Sequence, residues 1–99
     1  MNSLEYGQVL KADMGEDVST ALSYKMYLEP KRGTKLDVVA TLGTSTVTED
    51  GVTYTANHYV EYVIAEGDLS YVGHWQRKGI AIYGSSEIHG NYQRFTVLG

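Results

Sequence analysis

The chain has 99 residues and a mass of 11.0 kDa, enough for one domain with a modest core, and its longest apolar runs, such as Tyr62–Ala65, fall far short of the ~18 residues of a membrane span. At 42% hydrophobic and 20% charged residues it is too apolar for a disordered chain, and the absence of cysteine excludes disulfides, thiolate metal ligands and a cysteine nucleophile. Eight basic against 12 acidic residues give a net charge of −4, with only Lys31-Arg32-Lys35 and Arg77-Lys78 in close groups, which argues against binding a nucleic-acid backbone. No basic stretch followed by an apolar one opens the sequence, so no secretory signal is expected.

An opening strand is expected around Leu4 to Leu10. Asp13, Glu16 and Asp17 around Gly15 read as a capped turn, since they lack the spacing of a calcium loop. From Ala21 to Glu29, Leu22, Tyr24, Met26 and Leu28 alternate with Ser23, Lys25, Tyr27 and Glu29, which predicts a strand with its first set inward. Pro30-Lys31-Arg32-Gly33-Thr34 is a turn, and Lys35 to Leu42 resumes the alternation with Leu36, Val38, Ala40 and Leu42 inward.

Glu49-Asp50-Gly51 is a further turn leading into Val52-Thr53-Tyr54-Thr55. In the next strand His58, Val60, Tyr62 and Ile64 share the inner face, leaving Tyr59, Glu61 and Val63 outward. Trp75 to Tyr83 is another strand, where a bulge near Lys78-Gly79 is expected to shift the register and bring both Ile80 and Ile82 inward together with Trp75. Gly84-Ser85-Ser86 turns the chain, and Tyr92 to Leu98 closes it with Phe95 and Val97 inward. No sustained helical stripe competes. The expectation is one all-β domain over residues 1–99, an immunoglobulin-like β-sandwich of about seven strands.

Three stretches in this order carry a resemblance. Asp17-Val18-Ser19-Thr20-Ala21-Leu22 with Glu29-Pro30-Lys31-Arg32-Gly33-Thr34 is similar to a "D-L-[ST]-x-A" segment followed by a strand and a "[KR]-P-D-G-T" turn. Val52-Thr53-Tyr54-Thr55, then Asp68-Leu69 and Gly73-His74-Trp75, is similar to "V-T-Y-T … D-L-x-x-x-G-x-[WY]", and Phe95-Thr96-Val97 to a closing "F-x-V". The chain thereby resembles, from Asp17 to Val97, the small immunoglobulin-like modules of tailed-bacteriophage virions, typified by the N-terminal domain of baseplate upper proteins. It departs from them in having Lys31-Arg32 where a single Asp is usual, and in a longer Ala56–Ile64 segment.

The resemblance implies a non-enzymatic virion protein, assembled in the bacterial host cytoplasm, that docks in several symmetry-related copies on larger neck, tail, baseplate or capsid proteins. It implies no cofactor, no membrane and no nucleic acid as partner. Leu69, Gly73 and Trp75 are then a structural corner: leucine plugs the core, glycine permits the tight path and the aromatic fixes the next strand. No catalytic motif stands against this. His58, His74 and His89 lack a short metal-ligand spacing, and neither a G-x-S-x-G nor a P-loop occurs.

Docking residues are sought among outward aromatics and charges. No Lys or Arg falls between Lys35 and Arg77, an interval that holds Asp37, Glu49, Asp50, Glu61, Glu66 and Asp68. Tyr59 and Glu61 in this acidic middle are therefore expected to meet a basic partner, with Tyr27, Lys31 and Arg32 as the second candidate surface. The alternative function is a carbohydrate-binding adhesion module whose exposed tyrosines, Tyr71 among them, stack on a glycan.

Overall fold

A computed structural model describes residues 8–31, 35–49, 51–65 and 73–97; Arg32 and the corner residue Leu69, like Tyr71, lie outside them. The described chain is all-β, 64% strand with no helix. Its strands are β1 (Val9–Asp13), β2 (Ser23–Pro30), β3 (Leu36–Leu42), β4 (Val47–Glu49), β5 (Val52–Tyr54), β6 (Tyr59–Val63), β7 (Gly73–Tyr83), β8 (Ser86–His89) and β9 (Gln93–Val97). A sheet runs β1-β6-β3-β2-β7-β8, with β9 also on β7, and β4-β5 form a separate hairpin. β3 joins the layers: Leu36–Ala40 pair with β2, whereas Thr41 and Leu42 pair with β6. The sandwich is thus one hydrogen-bonded sheet curled onto itself, nearly a barrel.

Alternation decides what each layer buries. Leu10, Ala12 and Met14 of β1 and its continuation, with Val60 and Ile64 from the β6 region, meet Met26, Leu28, Ala40, Trp75, Ala81 and Phe95 across the core. Full burial of each large aliphatic in this set contributes roughly 1.5–3 kcal/mol. Trp75 is 3% exposed and stacks on Phe95 at a centroid distance of 6.0 Å. Gly73 has φ +120°, a backbone path that side chains disfavour, which is why glycine opens the tryptophan strand.

Leu22 does not join this core. It is 78% exposed, because regular pairing of β2 begins only at Ser23 and the preceding loop instead delivers Val18, fully buried, to the interior. The Tyr24 hydroxyl donates to the Val18 carbonyl at 2.8 Å and fixes that loop.

The expected bulge in β7 is absent. β2 and β7 pair in unbroken register from Ser23↔Ile82 to Pro30↔Trp75. Gly79 serves close packing instead: a Cβ there would lie 2.6 Å from both Met14 Sδ and Val60 Cγ2 of the opposite layer. Ile80 and Ile82 therefore both stay on the outer face, Ile82 between Ser23 and Glu87 and Ile80 between Lys25 and His89 of the neighbouring strands, yet Ile80 is only 1% exposed. The extra residue falls on the other partner, within Gly90–Gln93, since Gly90 N–H donates to the Gly79 carbonyl while Gln93 is already paired with Arg77.

Candidate functional site

Tyr59 lies on the face expected of it, opposite the core residues Val60 and Ile64, but it is only 2% exposed. The β4-β5 hairpin folds over that face. The Tyr59 ring packs at 5.5 Å against Tyr54 of β5, and its hydroxyl donates to the Ser45 carbonyl at 2.7 Å. Burial, then the nearby Glu61 carboxylate, pushes the phenol above its ordinary value. Tyr59 is a structural residue and leaves the docking set. Glu61 is half-buried in the cross-strand row Lys11↔Glu61↔Thr41.

Beneath the hairpin runs a polar bolt. Lys11 Nζ meets Glu49 Oε2 of β4 at 2.5 Å, and Arg77 Nη2 donates to the Tyr54 hydroxyl at 3.3 Å. Arg77 also donates through Nε to the Lys11 carbonyl and through Nη1 to the Arg94 carbonyl. Burial disfavours its charged form and lowers its pKa, with the Tyr54 oxygen opposing. Gln93 completes the arrangement, accepting from the Asp13 amide at 2.8 Å and donating to the Tyr54 hydroxyl at 3.3 Å. These groups are fully engaged with one another, and they stitch β1 to β7 and β9 where no ladder does. Their role is closure of the fold.

The outward face of β3, β2, β7, β8 and β9 has the opposite character. Alternation along β2 places Lys25, Tyr27 and Glu29 there, and register brings Lys35 and Asp37 on one side and Gln76, Lys78, His89 and Arg94 on the other. Tyr27 is central: Lys35 Nζ lies 3.9 Å and Lys78 Nζ 5.5 Å from its ring centroid, and His89 meets it edge-on at 6.3 Å. Lys78 Nζ is also 4.8 Å from the exposed ring of Tyr92. Each such cation–π contact at a solvated site contributes about 0.5–1 kcal/mol and holds the ammonium in place.

Every solvent-accessible Lys or Arg among the described residues belongs to this face or its end: Lys25, Lys31, Lys35, Lys78 and Arg94. The other two described cations, Lys11 and Arg77, are buried. Among the described residues three carboxylates share the face and each is engaged: Asp37 is 3.7 Å from Lys25, Glu87 is 2.9 Å from His89, and Glu29 accepts from Gln76 at 2.7 Å. Asp13, Glu49 and Glu61 lie on the β1-β6 layer and its hairpin. An acidic molecule thus carries one basic, aromatic face.

At one end of this face a groove of about 350 Å³ opens between Glu29, Pro30, Lys31, His74, Trp75, Gln76 and Arg94. Among the described residues no cluster of three or more His, Cys, Asp or Glu is arranged to hold a metal ion. Of the residues singled out in the sequence, Tyr27 and Lys31 fall on the basic face and Tyr59 and Glu61 do not. Lys35, Lys78, Tyr92 and Arg94 escape sequence reading because three cross-strand registers are needed to collect them on one face with Tyr27.

No family model, no curated protein and no solved structure matches this chain.

Proposed function

We propose that this chain is a non-enzymatic, immunoglobulin-like structural module of a tailed-phage virion, assembled in the host cytoplasm and docked in several copies on larger neck, tail, baseplate or capsid proteins. The face around Tyr27 is its docking surface. The observation that carries this reading is the collection of every accessible described cation on one aromatic-centred sheet face of a chain whose net charge is −4. A rigid sheet presents such groups with little entropy to lose, which favours permanent assembly contacts. Sequence resemblance supplies the virion setting.

The charge of this face reverses the partner expected from the acidic middle: with Tyr59 under the hairpin, the complementary surface is acidic. Glycan adhesion ranks second, because sugar stacking needs an open aromatic face and Lys35 sits over the Tyr27 ring.

Zero-length amine-to-carboxylate cross-linking of assembled particles tests the reading. Links from Lys35 or Lys78 to Asp or Glu of a larger virion protein are expected. Particles that contain the chain but yield no link from this face, or that never contain it, overturn the proposal.

A further inference from the structure

The groove beside the Tyr27 face has a specific construction. Glu29, Gln76 and Arg94 form one cross-strand row over β2, β7 and β9, and Lys31 and His74 begin the next, joined by the bond from Lys31 N–H to the His74 carbonyl at 2.9 Å. Between the rows, Pro30 and Trp75 are buried and form the floor. The rim therefore offers two cations, Lys31 and Arg94, and the ring nitrogens of exposed His74. One oxygen of Glu29 is taken by Gln76 Nε2.

We propose that this groove binds the carboxylate side chains of an acidic peptide segment, an inference that rests on the docking role of the adjoining face and names the chemistry of its partner. Two flanking cations suit a carboxylate seated between them, and Arg94 brings a planar fork that matches it. The second oxygen of Glu29 is placed to accept a backbone N–H of the same segment. A peptide backbone supplies the N–H beside its carboxylate side chains, whereas a phosphodiester backbone has no N–H to offer Glu29. At about 350 Å³ the groove lies at the small end of ligand pockets, ~300–1,000 Å³, and fits one or two side chains.

Titration of the labelled protein with a hexaglutamate peptide at low ionic strength, followed by amide chemical shifts, tests the groove directly. Saturable shifts at Lys31, His74, Gln76 and Arg94 are expected. Lys31→Glu with Arg94→Glu should weaken binding at least tenfold in a domain whose remaining spectrum is unchanged. Should that variant misfold, Arg94→Gln alone should weaken binding severalfold. Absence of shifts at the groove, unchanged affinity in the folded variants, or tighter binding of a hexathymidylate strand at the same residues overturns the proposal. Failure here is distinguishable from failure of the docking role, because cross-links from Lys35 and Lys78 do not depend on the groove.

Discussion

Arg77 Nε donates to the main-chain carbonyl of Lys11 at 2.6 Å, and this bond spans the seam between β7 and the free edge of β1. Even-numbered β1 residues bond to β6, as the bond from Met14 N–H to the His58 carbonyl fixes, so Val9, Lys11 and Asp13 turn their backbone groups to the seam. Two of these three meet side chains: the Lys11 carbonyl meets Arg77 and the Asp13 amide meets Gln93. Side chains thus close what a ladder would otherwise have closed. An edge strand protected in this way is withheld from pairing with other chains.

Removing the guanidinium leaves the Lys11 carbonyl without its donor and opens a cavity under the hairpin. Arg77→Ala should destabilise the domain by about 3 kcal/mol, read from urea midpoints. Arg77→Lys should recover only part of this, because one ammonium cannot span the Lys11, Arg94 and Tyr54 acceptors at once.

Trp75 stacks on Phe95 and is buried in the core, so Trp75→Ala should cost about 3–5 kcal/mol, a large share of a small domain's stability. An unchanged denaturation midpoint would show that the tryptophan does not anchor the sheet.

Gly43 lies against Tyr59, and a Cβ there would overlap the aromatic ring. Gly43→Ala should displace Tyr59 and loosen the β4-β5 hairpin, at a cost of about 1–3 kcal/mol. Hydrogen exchange should accelerate in Val47–Tyr54 more than in β2 or β7.

Tyr59 and Tyr24 are both held protonated above the ordinary 10.0, chiefly by burial. A raised folded-state pKa contributes stability that is fully present below the unfolded value and lost as pH rises through the folded one. Stability should therefore hold to about pH 9 and fall beyond it. Tyr59→Phe should lower stability at neutral pH by about 1 kcal/mol, through loss of the bond to Ser45, and flatten the alkaline decline.

Most strand positions are legible in the sequence because period-two alternation is local. β2, β3 and β6 fall within a few residues of their expected positions, and the face of Tyr59 is the expected one. Its burial is not legible, since it comes from a hairpin folding over that face, a contact no local pattern encodes. Gly79 carries the usual mark of a bulge, but its real cause is the approach of Met14 and Val60 from another layer. Leu22 fails for a different reason: burial at a strand's start depends on where pairing begins, and the preceding loop buries Val18 while Leu22 stays exposed. The basic face likewise emerges only when Lys35, Tyr27 and Lys78 are set side by side by register.

The most direct test of the docking face compares two variants in particles assembled with a full complement of virion proteins. Tyr27→Ala with Lys78→Glu removes the centre of the basic face, while Glu61→Gln neutralises the acidic layer. Circular dichroism of both isolated domains should match the parent. Copies per particle should fall at least tenfold for the first and stay at the parental level for the second. Normal incorporation of a folded Tyr27→Ala/Lys78→Glu domain, or loss confined to Glu61→Gln, would contradict docking through the Tyr27 face.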